Sequence, residues 1–308
     1  MSQNTSKKPL SLSTEWAHFL DGMSATSFCR MAREMGFDLL DLGPAIMDDQ
    51  LDGSALSELS IGSMHAPCFL PMSALKALTS FETELGSFTP ELRQEAIAAV
   101  CHSIDLAQSL GIRPIAVHAG TLPSSAESSQ RLVNLYDRGL RDTEEYERLR
   151  QQILDERASA VEPHLDLARQ SLEVIGQYAA KAVVWVGLEN RCEQSSLPTY
   201  SDLLALLDGL EPYPVGLWFD VGHAIVQENL GFLPHSRWLE TFSDRIVGIH
   251  LHDVRGDMDH LPVGTGDVDW LSLIPRLPQE PVWVFEYSRH VDPEDVRRGL
   301  ELVRSLLC

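Results

Sequence analysis

The sequence predicts an α/β fold: a single-domain (β/α)8 TIM barrel. Three observations lead there. Eight short β-branched or aromatic runs alternate with longer amphipathic stretches, no second composition regime interrupts the 308 residues, and histidines and carboxylates gather where the runs end. Strands alternating with helices imply parallel β-α units, and eight such units close a barrel. A doubly wound sheet is the alternative, but the first strand–helix turn lacks a GxGxxG loop.

The elements follow in order. Residues 1–13 are polar and read as a loose N-terminal tail, with the barrel spanning 14–308. The expected strands are "WAHFL" (16–20), "FDLLDLG" (37–43), "IGSMHA" (61–66), "PIAVHAG" (114–120), "AVVWVGLEN" (182–190), "VGLWFDVGH" (215–223), "IVGIHLH" (246–252) and "VWVFEYS" (282–288). The clearest helices are "SATSFCRMAREMG", "ELRQEAIAAVCHSIDLAQSLG", "YSDLLALLDGL" and "PEDVRRGLELVRSLL", several with apolar residues at i, i+3, i+4 and i+7. Gly36 and Gly111 close two of them. A Ser-, Glu- and Arg-rich helical insertion occupies roughly 121–160, after the fourth strand, and Pro163 is expected to bend or restart its helix. It either covers the barrel mouth or is simply a solvated addition.

Composition narrows the function. The net charge of -21 argues against a broad nucleic-acid surface. No apolar run approaches the roughly 18 residues of a membrane span, and the N-terminus has no apolar signal core. Five cysteines without framework spacing suggest reduced thiols and a cytoplasmic location.

The active site of such a barrel is built at its strand ends. Those positions hold His65, His118, Glu189, Asp220, His223, His250, His252 and Glu286, with His260 after a short loop, so six of the 11 histidines fall there. Side chains alternate faces along a strand. Val183, Trp185, Gly187 and Glu189 share one face; so do Gly216, Trp218 and Asp220; Ile246, Gly248 and His250; and Val282, Val284 and Glu286. Gly187 and Gly248 leave room beneath the polar layer, and Trp185 and Trp218 are expected to fill the interior. A lone strand-end histidine is more often a hydrogen-bonded structural residue than a ligand. Here three carboxylates and several imidazoles converge, and such a group needs a shared proton or a cation between its members. Carboxylate mixed with imidazole suits a divalent ion.

The segments "HAP" (65–67), "VHAG" (117–120), "GLEN" (187–190), "FDVGHA" (219–224), "HLHD" (250–253), "DHLPVGTGDVDW" (259–270) and "VFEYS" (284–288), each at the end of an expected strand, carry a resemblance. In this order they resemble the xylose isomerase-like barrel superfamily, over nearly the whole chain. That group includes sugar isomerases and epimerases, inosose dehydratase-like proteins and endonuclease IV-type enzymes. In its sugar-epimerase branch one metal is held by residues matching Glu189, Asp220, His250 and Glu286, and the residue matching His223 touches substrate. In its endonuclease branch a multi-zinc cluster uses residues matching His65, His118, His223 and His260, with Asp259 or Asp257 near the remaining acidic position. The spacing before His260 departs from that pattern, and the number of metals stays open. His252 is a further candidate for metal or substrate.

The resemblance implies a metal-dependent isomerase or epimerase acting on a sugar, sugar phosphate or sugar acid. The reaction is proton transfer next to a carbonyl through an enediolate, with Glu189 and Glu286 as the acid–base pair and one divalent ion, Mn, Zn, Co, Fe or Mg, or more than one, as cofactor. The alternatives are an endonuclease IV-like phosphodiester hydrolase, a sugar or inosose dehydratase, or a metal-dependent sugar sensor. Related barrels pair into dimers or tetramers, which implies a homo-oligomer.

Two features bear on substrate charge. Arg191, Arg255 and Arg289 each closely follow a strand-end group and either form an anion-attracting patch or pair with nearby surface acids. In "DHLPVGTGDVDW", Gly264 and Gly266 free the backbone and Asp267 or Asp269 caps the next helix, so the loop is either a tight capped turn or a phosphate cradle.

Overall fold

The computed structural model describes residues 7–16, 23–43, 60–68, 84–122 and 126–307. Eight parallel strands, one to eight in chain order, close into a barrel: Leu10–Ser13, Leu39–Leu42, Ser60–Ala66, Pro114–Val117, Trp185–Glu189, Val215–Asp220, Ile246–Leu251 and Val282–Phe285. Consecutive strands pair, and strand eight returns to strand one with Phe285 opposite Leu12.

The period-two pattern of each strand divides its side chains between two environments. In strand six, Leu217 and Phe219 face outward into the core shared with the helices, whereas Trp218 faces inward with Ala116 and Val284. Each large apolar side chain buried this way contributes about 1.5–3 kcal/mol. Gly187 and Gly248 make the room for Trp218. A β-carbon at Gly248 would fall 2.4 Å from the indole Cζ3, and one at Gly187 would fall 3.0 Å from the Trp218 Cβ. The space expected beneath the polar layer is therefore filled by one indole ring, which floors the mouth.

Strand one corrects the sequence reading. It is formed by "LSLS", Leu10–Ser13, so the tail boundary at 13 is too late. Trp16 lies in a 3-10 turn, and the rest of "WAHFL" falls outside the described residues. Two serines in so short a run masked a strand whose Leu10 and Leu12 are fully buried. Trp185 is a second correction: it is 48% exposed and lines a cavity at the N-terminal end of the barrel, far from the mouth.

Helix ends follow local chemistry. Ser24 caps Ala25–Met35 by accepting from the Ser27 N–H, and Gly36 closes that helix at φ 102°. Gly111 closes Pro90–Leu110 at φ 72°. The insertion contains helix Ala126–Asp137, and a second helix runs from Glu144 to Ala182 with Pro163 inside it rather than at a break. This pair has its own small core of Leu132, Leu135, Tyr146, Leu149 and Ile153. It docks on the turn that ends helix Val221–Asn229: Tyr146 donates to the Leu230 carbonyl (3.0 Å) and Arg150 to that of Gly231 (3.2 Å). Tyr136 lies against Gly256. The insertion therefore flanks the mouth beside strands six and seven. Among the described residues no helix is long and apolar enough to cross a membrane.

Candidate metal centre at the barrel mouth

Parallel register sets the site. Asp220 pairs with His250, and His250 pairs with Val284, so the ends of strands six, seven and eight stand at adjacent levels. Helix Val221–Asn229 begins with no intervening loop. Asp220 is its N-cap and accepts from the His223 N–H at 2.7 Å, which fixes His223 beside Asp220. Asn190 braces the strand-five end by exchanging two hydrogen bonds with the Asp220 backbone (2.8 and 2.9 Å).

One nitrogen marks the centre. His250 Nδ1 is 3.1 Å from Glu286 Oε2, 3.3 Å from Asp220 Oδ2 and 3.6 Å from Glu189 Oε2. All four residues are buried. The other strand-end residues surround them. His65 Nε2 is 3.5 Å from Glu189 Oε2 and 3.7 Å from Glu286 Oε1, and the His65 ring stacks on His250 at 4.8 Å. His118 Nε2 is 3.3 Å from Glu189 Oε2. His223 Nε2 is 3.6 Å from Asp259 Oδ2, and His260 Nε2 is 3.4 Å from Glu286 Oε2. His252 Nε2 lies 2.9 and 3.0 Å from the two Asp220 carboxylate oxygens.

Fixed hydrogen bonds orient two of the rings. A carbonyl oxygen only accepts, so His223 Nδ1 donates to the Asn190 oxygen at 2.9 Å and Nε2 faces the mouth. His65 Nδ1 is held by Asp41 Oδ2 at 3.0 Å, which turns Nε2 toward Glu189 and Glu286. A carboxylate or carbonyl behind the second ring nitrogen is the usual support of a ligating histidine.

Burial, the largest single influence on every one of these groups, disfavours charge, yet their mutual attraction outweighs it. His118 and His250 hold Glu189 well below the ordinary carboxylate range, His223 and His252 do so for Asp220, and His250 with His260 lowers Glu286. Conversely, Asp41 and Glu189 push His65 well above its ordinary value, Asp259 and Glu286 raise His260, and Asp220 with Glu189 brings His223 up to about 9. The carboxylates stay ionised and draw positive charge to themselves. Their oxygens together with imidazole nitrogen form a donor set that suits a divalent ion, so the residues present fit one. Ligand-capable atoms within 4.8 Å of one another include the sets Glu189–Asp220–His250, His65–His118–Glu189 and His223–His252–His260.

The arginines do not act as a trio. Arg191 contacts the cluster, 3.0 Å from Glu189 Oε1 and 3.1 Å from His118 Nε2. Arg255 is exposed and bonds the Thr265 carbonyl, and Arg289 is exposed. The glycine loop encloses Asp253, whose carboxylate accepts from Gly264 N (2.7 Å), Val268 N (3.1 Å) and Trp270 Nε1 (2.9 Å). Its donors are turned inward to a residue of the chain, and Asp269 caps Trp270–Leu273.

Sequence reasoning gave no role to Asp41, Asn190 or Asp253, although Asp253 stands out beside His250 and His252 as an aspartate costly to bury. Asp41 had a signal: it stands in strand two, where an ionisable residue in a buried run requires a partner. Asn190 and Asp253 sit within "GLEN" and "HLHD", but their roles depend on backbone groups distant in sequence.

A closed parallel barrel carrying carboxylate and imidazole groups at its C-terminal mouth defines a class of barrel with a candidate metal centre. The family model described as xylose isomerase-like TIM barrel matches residues 29–306, and the chain belongs to that family. Among solved structures it is similar to a D-tagatose 3-epimerase-like protein (19% identity, 97% of each chain, TM-score 0.68). It is also similar to 3-keto-D-glucoside 4-epimerase from E. coli (16% identity, 97% of this chain and 99% of that one, TM-score 0.65). A third is a sugar phosphate isomerase/epimerase from Parabacteroides distasonis (14% identity, 99% and 96%, TM-score 0.60). At these identities the likeness shows the fold. No curated protein matches the chain in sequence.

Proposed function

We propose that the protein is a metal-dependent isomerase or epimerase of a sugar, sugar phosphate or sugar acid. The observation that carries this reading is the convergence of Glu189, Asp220 and Glu286, from strands five, six and eight, on His250 Nδ1 within 3.6 Å. The sugar epimerases among its structural neighbours support it. A divalent ion held by these four residues would supply Lewis-acid polarisation of a carbonyl and its neighbouring hydroxyl.

The chain's own groups do the rest. Glu189 and Glu286 reach the centre from separate strands, so one carboxylate removes the proton next to the carbonyl and the other returns it. Trp218 closes the floor and limits water from below. His223, with its Nδ1 proton given to Asn190, turns its Nε2 to the mouth, where it is placed to hydrogen-bond a substrate hydroxyl. Arg191, already against Glu189 and His118, offers a guanidinium to an anionic substituent. The described cysteines Cys29, Cys68, Cys101 and Cys192 are free thiols, in keeping with a reducing compartment such as the cytoplasm.

A second reading, metal-assisted phosphodiester hydrolysis, is favoured by the additional ligand-capable atoms of His65, His118, His223, His260 and Asp259. The net charge of -21 weighs against a DNA groove. The test is incubation of the Mn-loaded protein in D2O with a panel of keto-sugars, their phosphates and sugar acids. Deuterium incorporation beside the carbonyl, absent in Glu286→Gln, supports the isomerase. No exchange on any member, with cleavage of a phosphodiester instead, would replace it.

A further inference from the structure

We infer that His252 is a positioning residue for Asp220 rather than a metal ligand; this rests on the proposed metal site and sharpens it. Its position among the strand-end histidines makes it look like another ligand, but both of its ring nitrogens are already engaged.

The backbone N–H of His260 lies 2.9 Å from His252 Nδ1. A backbone N–H can only donate, so Nδ1 is the acceptor and the ring proton sits on Nε2. That proton is given to Asp220, whose oxygens are 2.9 and 3.0 Å away. Neither nitrogen has a lone pair left for a cation. His223 and His65 contrast with it, because their second nitrogens face acceptors and their Nε2 atoms face the mouth.

The consequence falls on Asp220. Its Oδ1 takes the His223 N–H at 2.7 Å, His252 Nε2 lies across both oxygens at 2.9 and 3.0 Å, and Oδ2 lies 3.3 Å from His250 Nδ1. The two donors together fix the plane of the carboxylate, so that Oδ2 stays turned toward His250 at the centre. The surroundings are shaped to hold the ring there. His252 is fully buried, and a β-carbon on Gly222 would fall 2.0 Å from its Cε1. The ring also stacks on His260 at 4.2 Å with the planes 11° apart. His260 adopts φ 53°, a left-handed conformation uncommon for a residue with a side chain, and it is this backbone that delivers the N–H to Nδ1. His260 Nε2 also lies 3.4 Å from Glu286 Oε2. The loop after strand seven thus holds two of the four carboxylate and imidazole ligands, Asp220 through His252 and Glu286 directly.

The test compares His252→Gln, His252→Leu and Gly222→Ala by titrating the chelated protein with Co and following the visible absorption, alongside long-range ¹H–¹⁵N spectra of the wild-type histidines. Glutamine carries an N–H that can reach Asp220; leucine carries none. The expected result is a wild-type His252 with its proton on Nε2. It also includes Gln binding Co within about threefold of wild type, Leu weaker by about 10–100-fold, Gly222→Ala weaker in the same direction, and an unchanged number of ions bound per chain in all three. Equal losses for Gln and Leu with one ion fewer per chain would make His252 a ligand and overturn the inference. Wild-type affinity in Leu, with a lower melting temperature alone, would make it a packing residue and overturn it also. A wild-type chain that takes up no Co overturns the proposed metal site itself, a result distinct from either.

Discussion

Trp218 lies across Gly248, so that a β-carbon on the glycine would fall 2.4 Å from the indole. The same ring contacts His250, two residues further along the glycine's strand, with centroids 5.2 Å apart. Gly248→Ala must therefore push the floor of the site against one of its central residues. Overpacking of this kind costs about 1–3 kcal/mol. Chemical denaturation should show that loss, and Co affinity should fall with it. A variant that kept both stability and affinity would mean the indole has room to move.

Removing the acid–base pair should stop turnover without unfolding the barrel. Glu189→Gln and Glu286→Gln are each expected to lower the rate by about 10²–10⁴. Circular dichroism should be unchanged, because neither residue belongs to the outer apolar core. Near wild-type rates in both would exclude the two-carboxylate mechanism.

Metal removal should be reversible. Dialysis against a chelator is expected to abolish activity and lower the melting temperature, and Mn or Co should restore both. With the ion at 100 times its dissociation constant, linkage gives about 2.7 kcal/mol of added stability. A melting temperature indifferent to the ion would argue against resident metal.

Arg191 and Arg289 separate a site arginine from a surface one. Arg191→Ala should raise KM for a sugar phosphate or sugar acid more than for the neutral analogue, since Arg191 stands beside Glu189 and His118. Arg289→Ala, at an exposed position, should change neither. Equal effects of Arg191→Ala on charged and neutral substrates would assign Arg191 to Glu189 alone.

Much of the site could be read in one dimension because strand parity is a local property. Once Gly248 and His250, or Trp218 and Asp220, are placed on a strand, geometry puts them on one face, and the inward run of each strand named the residues that the barrel gathers. The first strand was harder to see because its inward positions are Ser11 and Ser13, small polar residues that lower the apolar signal of a buried run. Pro163 does not restart the helix, for the opposite reason. A proline forbids one hydrogen bond, but the packing of a 39-residue helix can keep it continuous across that gap.

The sequence by itself determined the alternation of strand and helix, the parity that aims Glu189, Asp220, His250 and Glu286 at one mouth, and the turn chemistry of Gly36 and Gly111. Each depends on neighbours within a few positions. Only the tertiary structure decided what each polar group does once there. The Asp41 support of His65 crosses from strand two to strand three, the glycine loop closes around Asp253, and the His252 ring takes its backbone donor from a loop eight residues away while giving its proton to strand six. A hydrogen bond fixes which nitrogen holds the proton, and its partner is chosen by proximity in space. Spacing along the chain could bring the histidines to the mouth, but it could not say which of them had a lone pair left to offer.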